Sequence, residues 1–117
     1  MPDEATDRTF SKSDRILKRG TFRRVYDSGK KVRARFFTAF ILPNSQDHSR
    51  LGITATRKTG NSVERNRSRR RVRELYRRNK WRVPSGVDIV INVKDNLARA
   101  EYDELARDFA ALWERGR

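Results

Sequence analysis

The stretch "RLGITATRKTGNSVERNRSRRRVREL", Arg50–Leu75, reads as a strand, a turn and a helix in direct succession. In "RLGITAT", Leu51, Ile53 and Ala55 alternate with Gly52, Thr54 and Thr56, which is the two-residue period of a strand with unlike faces. "RKTG" breaks the alternation. Asn61 or Ser62 then caps the first free amides of a helix, and Glu64 stands three residues after Asn61, the spacing of a capping box. The helix is expected to run to about Asn79. At 100° per residue, Ser68, Leu75 and Tyr76 fall within about 60° of Val72 and form its buried stripe. Asn66, Arg67, Arg70, Arg71, Arg73, Arg77 and Arg78 take the far side. Arg65 and Arg69 project beside the stripe, as expected if the first turns overhang the sheet edge or border a groove.

Working outward, residues 1–10 read as a polar, flexible tail and residues 11–117 as one domain, the size 117 residues allow. A short helix is expected over about Thr21–Ser28, where Phe22, Val25 and Tyr26 share a face and Gly29 offers a left-handed stop. "RFFTAFILP" reads as a strand closed by Pro43, with Phe37, Ala39 and Ile41 on one side and Phe36, Thr38 and Phe40 on the other. "GVDIVINV" is a third strand, alternating Val87, Ile89, Ile91 and Val93 against Asp88, Val90 and Asn92. In the last helix Tyr102, Leu105, Ala106, Phe109, Leu112 and Trp113 recur at three- and four-residue steps and make a wide docking stripe. Glu101, Asp103, Glu104, Asp108 and Glu114 gather there, which keeps acid off the arginine helix.

Charge narrows the function. The chain carries a net +14 with a pI near 11.3, a field that attracts polyanions, nucleic acid first. From Arg57 to Arg82 twelve Lys and Arg face two Glu, so 12 − 2 = +10 of that charge lies in one segment. A charge run is usually a solvated face. Here the charges are nearly all arginine, whose planar fork binds phosphate oxygens in pairs, and they lack compensating acids on their own helix beyond Glu64 and Glu74. Like charges four apart cost a few tenths of a kcal/mol per pair, a repulsion that phosphates turn into attraction with release of counterions. Cys is absent, so there is no disulfide framework and no thiolate metal site. No apolar run approaches the ~18–20 residues of a membrane span and no signal peptide is evident, so a cytoplasmic protein without membrane contact is expected.

"RKTGNSVERNRSRRRVRE" resembles the signature of the bacterial ribonuclease P protein subunit, a strand ending in basic residues and a Gly-Asn turn leading into an Arg-Asn-Arg helix. "FRRVYDSG", "RFFTAF", "RLGITATRK" and "GVDIVINV" follow in that family's order, and only residues 1–10 lie outside the likeness. Ser68 and Arg71 stand where the family commonly has aliphatic residues. The resemblance implies an α+β fold, a single-domain α/β sandwich of order αβββαβα with a left-handed crossover between parallel strands. It further implies a subunit of the ribonucleoprotein that removes the 5′ leader of precursor tRNA by endonucleolytic hydrolysis, with the chemistry carried by the RNA subunit and its Mg2+. The protein alone is expected to bind no metal, although Asn66 is placed to meet phosphate or hydrated magnesium. Partners expected are the catalytic RNA and precursor tRNA, with no protein partner required.

By the same resemblance, Arg57, Lys58, Asn61, Arg65, Asn66, Arg67, Arg69, Arg70 and Arg73 contact the catalytic RNA. A cleft between the first helix and the sheet holds the single-stranded leader, with Phe22, Tyr26, Phe36, Thr38, Phe40, Thr54 and Thr56 as its expected lining. Aromatic planes beside basic groups suit unpaired bases, each stack contributing ~1–3 kcal/mol. For Phe22 and Phe36 cleft and ordinary core are both open readings, whereas Phe37, Phe109 and Trp113 are core in either case. His48 has no partner at catalytic or metal spacing. Two other classes compete. A basic ribosomal or RNA-chaperone protein would share the charge but does not call for this helix and an aromatic strand together. A protein-only nuclease would need clustered carboxylates, and here the main gathering of acids is the five of fifteen in the tail helix.

Overall fold

The computed structural model describes residues 12–115. The tail expected over residues 1–10 lies outside them. The elements are α1 (Arg19–Ser28), β1 (Lys30–Arg33), β2 (Phe37–Pro43), β3 (Arg50–Thr54), α2 (Ser62–Arg78), β4 (Val87–Val93) and α3 (Tyr102–Arg115). This is the order αβββαβα. β1 has no counterpart in the periodicity of the sequence, because "KKVR" offers a single apolar residue and no alternation to read. Among the described residues no helix is long and apolar enough to cross a membrane.

The sheet runs β1-β2-β4-β3, with β1·β2 and β2·β4 antiparallel and β3·β4 parallel. β3 and β4 are thus neighbours joined by a crossover through α2. One face carries Phe37, Ala39, Leu51, Ile89 and Ile91 into the main core, where α2 contributes Val72, Leu75 and Tyr76 and α3 contributes Leu105, Phe109 and Leu112. Trp113 meets Phe109 edge-on at 5.6 Å between centroids. The opposite face has a smaller cluster, Ile16, Val25 and Val90, with Phe22, Tyr26, Phe40 and Leu42 packed against it. The layers are therefore α1, sheet, and α2 with α3.

Local chemistry accounts for the ends of the elements. Asn61 and Glu64 form the reciprocal capping box, at 2.9 and 3.1 Å. Gly60 precedes it with φ of 145°, where a side chain would be strained and would strike Glu64. Gly29 differs from expectation: its φ is −77°, not left-handed, and glycine suits the site because a Cβ would lie 2.5 Å from the Val25 carbonyl oxygen. Asp108 of α3 accepts hydrogen bonds from the backbone amides of Arg35 (3.1 Å) and Phe36 (2.9 Å), tying the last helix to the β1–β2 connection.

Two buried polar groups are handled in opposite ways. Asp88 of β4 is 1% exposed and accepts two hydrogen bonds from Arg50, at 2.8 and 2.7 Å, and a third from Asn44 at 2.9 Å. Burial works to raise its pKa but is outweighed by the hydrogen bonds from Arg50 and Asn44 and by the charges of Arg50 and Arg24, so the carboxyl is held below its ordinary value. Ser68 is fully buried in the α2 stripe, and its hydroxyl has no hydrogen-bond partner.

Stability should respond to both groups. Removing an unsatisfied buried hydroxyl relieves desolvation, so Ser68→Ala should stabilise the fold by about 1 kcal/mol in denaturant unfolding. Asp88 has a folded pKa below its unfolded value of ~3.9, so its contribution is present above that pH and is lost as pH falls through the folded value. Asp88→Asn should cost about 3 kcal/mol at pH 7 by stranding Arg50, and should flatten the loss of stability on acidification below about pH 4.

Candidate nucleic-acid interface

The face of the sheet under α1 is built in rows. Strand register places Arg33, Thr38, Asn92 and Thr54 side by side, then Lys31, Phe40, Val90 and Gly52, then Leu42, Asp88 and Arg50. α1 covers the middle row. A Cβ on Gly52 would come within 2.7 Å of the Phe22 ring, so glycine lets the helix settle onto β3. Tyr26 crosses from the middle row to the first, its ring meeting Phe40 edge-on at 4.9 Å. Its hydroxyl donates to Asn92 Oδ1 at 2.6 Å and lies 2.7 Å from Thr54 Oγ1. A phenol has one proton to give, so Thr54 is the donor in the second bond. Lys31 Nζ stands 5.7 Å from the centroid of Phe40.

These contacts bring together Phe22, Tyr26, Thr38, Phe40 and Thr54 of the expected cleft, all half-buried, as groups between solvent and core should be. Thr56 is exposed beyond the end of β3, beside a recess of about 400 Å³ that also touches Thr54, Lys58, Asn92 and Lys94. Phe36 is not with them. It precedes β2, is 4% exposed and packs in the main core, with the Arg35 guanidinium over its ring at 4.9 Å. The alternation of "RFFTAF" runs back past Phe37 in the sequence, but the strand itself begins at Phe37. Arg33, Lys31 and Asn92 join the face without having been expected there. Asn92 was legible, since it alternates with Val90 on the outward side of "GVDIVINV", but the two basic residues depend on recognising β1.

The arginine segment begins where that face ends. After Thr54 come the short turn Arg57–Thr59, Gly60, and the first turn of α2. Arg57, Lys58, Asn61, Asn66, Arg67, Arg70 and Arg73 are exposed. Arg65 and Arg69 lie half-buried beside the stripe. Arg65 donates to the Gly60 carbonyl at 3.2 Å, and Arg69 donates to the Ala55 carbonyl at 3.3 Å and to Asn66 Oδ1 at 3.2 Å. They border the end of β3, in agreement with the helical projection. Arg71 departs from its expected outward position: it donates to the carbonyls of Leu97 and Ala98, both at 3.2 Å. Those carbonyls belong to a tight turn before α3 and attract the guanidinium inward. Arg73 is held below the ordinary guanidinium value by partial desolvation and then by Arg15, Arg69 and Arg70, which mark a crowded positive surface. His48 meets Asp47 and the Ser13 carbonyl, contacts of a loop anchor.

A model of the ribonuclease P family matches residues 10–117. The ribonuclease P protein component of Syntrophus aciditrophicus is 40% identical over 104 residues, which are 89% of this chain and 87% of that protein. Among solved structures, the ribonuclease P protein of Thermotoga maritima aligns with a TM-score of 0.77 at 33% identity, covering 86% of this chain and 96% of the other. That of Staphylococcus aureus aligns with a TM-score of 0.78 at 28% identity, covering 91% and 97%.

The arginines divide by what they already touch. Arg67→Ala or Arg70→Ala should leave the melting temperature unchanged, weaken RNA binding irrespective of sequence, and lower the slope of log K against log salt by about one for each arginine removed. Arg69→Ala and Arg71→Ala should in addition lower stability, by about 1.5–3 kcal/mol for charged hydrogen bonds removed. Thermal unfolding and salt titration of the four variants separate the two groups.

Proposed function

The chain belongs to the family of ribonuclease P protein components, subunits that act with an RNA subunit in tRNA 5′ maturation, and from that membership we propose how its residues divide the work. The exposed cations of α2 and the turn before it hold the catalytic RNA through phosphates: Arg57, Lys58, Arg67, Arg70 and Arg73 directly, with Arg65 and Arg69 bracing the turn. The face under α1 holds the unpaired 5′ leader of precursor tRNA. Tyr26 and Phe40 offer ring surface, Thr38, Thr54 and Asn92 offer polar groups, and Lys31 and Arg33 supply charge at the rim. Asn66 stands among the phosphate contacts, where it would also meet hydrated Mg2+ brought by the RNA.

One observation carries this reading. β3 delivers Thr54 to the cleft and runs directly into the turn that starts the arginine helix, so the two surfaces are adjoining parts of one rigid strand-turn-helix unit. A protein built this way can present a single-stranded substrate beside an RNA it also grips.

The chemistry then belongs to the RNA subunit and its Mg2+, and the use made of six of the fifteen acids supports that assignment. Asp88 is tied to Arg50, Asp14 to Lys80, Glu74 to Arg77, and Glu104 to Arg35. Asp108 and Glu64 cap backbone amides. Each serves the fold, and clustered metal-binding carboxylates are what protein-borne hydrolysis would require. The chain works in the cytoplasm, with RNA as its partner and no second protein needed.

Reconstitution with a bacterial ribonuclease P RNA at low Mg2+ should restore cleavage of precursor tRNA, while RNA-free protein cleaves nothing. Metal-dependent cleavage by the protein alone would overturn the division of labour. Within the particle, Phe40→Ala should weaken binding of leader-bearing precursor by about 1–3 kcal/mol and leave mature tRNA nearly unaffected. Tyr26→Phe keeps the ring and loses two hydrogen bonds, so it should cost about 1–2 kcal/mol of stability with a smaller effect on leader affinity. Equal losses for precursor and mature tRNA would place both rings in the core alone.

A further inference from the structure

Trp81 sits in the tight turn Lys80–Arg82 that follows α2, and at 72% exposure it is the most exposed large apolar side chain among the described residues. Neither the phosphate-binding surface nor the leader cleft uses it. An indole left this open carries apolar area that water disfavours, but a single exposed apolar side chain is ordinary, so its setting has to say whether it meets a ligand. Its setting is specific. The Arg82 guanidinium lies 4.2 Å from the ring centroid, backing the indole with a cation. The ring also borders a recess of about 340 Å³, whose walls include Tyr76, Val83 and the Asp14–Lys80 ion pair.

The surrounding charge selects the ligand. From Arg77 to Arg82 the chain carries Arg77, Arg78, Lys80 and Arg82; Arg77 pairs with Glu74 and Lys80 with Asp14, and Asp47 also lines the recess, so Arg78 and Arg82 are the cations of this segment that no carboxylate pairs among the described residues. The segment continues directly from the arginine helix. A protein-binding hot spot would set the indole among other apolar side chains, and here its chain neighbours on both sides are cations. A planar ring backed by arginine at the end of a cationic helix matches an unpaired nucleobase, because every base offers a π-face and brings its own phosphate.

We propose that Trp81, backed by Arg82, is a stacking platform for an unpaired base of bound RNA, carrying the RNA footprint past the C-terminal end of α2 to a site separate from the leader cleft. The proposal rests on the RNA-binding reading of the proposed function and adds a base contact to a surface otherwise described by phosphates.

The test uses the full chain and its Trp81→Phe and Trp81→Ala variants. The protein has two tryptophans, so the emission change that the parent shows and Trp81→Phe lacks belongs to Trp81. Saturating RNA subunit should quench that component. Precursor tRNA added to the preformed particle forms the second arm: quenching that waits for it assigns the base to the substrate, and quenching by the RNA subunit alone assigns it to the catalytic RNA. Trp81→Ala should weaken RNA binding about 5- to 150-fold, the span of one base stack, with the salt slope and melting temperature unchanged. Trp81→Phe should recover most of the affinity.

Any of three results with RNA present would overturn the proposal: a silent Trp81 in a chain that demonstrably binds RNA, a Trp81→Ala variant that binds like the parent, or weaker binding accompanied by a lower salt slope, which would make the residue a support for a cation. A concentration-dependent Trp81 emission shift without RNA would overturn it in favour of contact between protein molecules. Failure of the broader functional reading looks different, because the parent chain itself would then neither bind the RNA subunit nor support cleavage.

Discussion

A helix that carries most of a protein's excess charge stays folded only if something other than its own surface holds it. In α2 that is the stripe Ser68, Val72, Leu75 and Tyr76, buried against the sheet and α3. Helix propensity and the few tenths of a kcal/mol from Glu74–Arg77 are small beside the ~1.5–3 kcal/mol gained by burying each large apolar side chain. The rest of the domain is arranged around that need. The sheet face toward α2 is wholly apolar at its centre, and α3, which closes the other side, carries Asp103 and Glu114 on its outer surface. Three arginines are drawn to backbone carbonyls, Arg65 at the turn before α2, Arg69 at the end of β3 and Arg71 at the turn before α3. Apart from Arg77, which pairs with Glu74, what remains outward is a set of guanidinium groups without acids of their own, ready for phosphate.

The opposite face of the sheet follows from the same shortage of apolar material. With the main core on one side, the cover on the other among the described residues is Ile16 and the ten residues of α1, which contribute Phe22, Val25 and Tyr26. That is enough to bury Val90 and half of Phe40, and not enough to close the row of Thr38, Asn92 and Thr54. An incompletely covered sheet needs polar groups where water reaches it, and the sequence supplies hydroxyls and an amide there. The cleft is thus the uncovered remainder of a sheet that one short helix cannot span.

Much of this was legible because periodicity survives burial. The α2 stripe, its capping box, the faces of β3 and β4 and the apolar stripe of α3 all stand as the sequence indicates. The misreadings share a cause, which is that tertiary pairing sets the boundaries. Phe36 looks like a continuation of the Thr38 and Phe40 face, but the chain bends before Phe37 and turns the ring into the main core. β1 exists because β2 offers it an edge, so four residues with one valine become a strand that no local pattern announces. Arg71 projects outward on a helical wheel, yet the wheel does not know that two carbonyls of the 97–99 turn lie within reach. Trp81 carries no periodic signal at all, and only its exposure and the guanidinium behind it draw notice.

Register binds the two functional surfaces together. In a strand, a slip of one residue moves every side chain to the other face. For β3 such a slip would carry Gly52 and Thr54 from beneath α1 into the core and bring Leu51 and Ile53 to the cleft, removing the seat of Phe22 and the hydroxyl that meets Tyr26. Apolar packing of Leu51 opposes this, but the sharper constraint is polar. Arg50 and Asp88 are direct cross-strand partners on the cleft face, and the buried carboxylate finds its two guanidinium hydrogen bonds only in this register. A slipped strand would leave Asp88 buried without Arg50, at a cost of several kcal/mol. The ion pair therefore does more than offset its own desolvation. By locking β3 to β4 it sets where Thr54 stands in the cleft and, through the turn that follows, where the first arginines of α2 point.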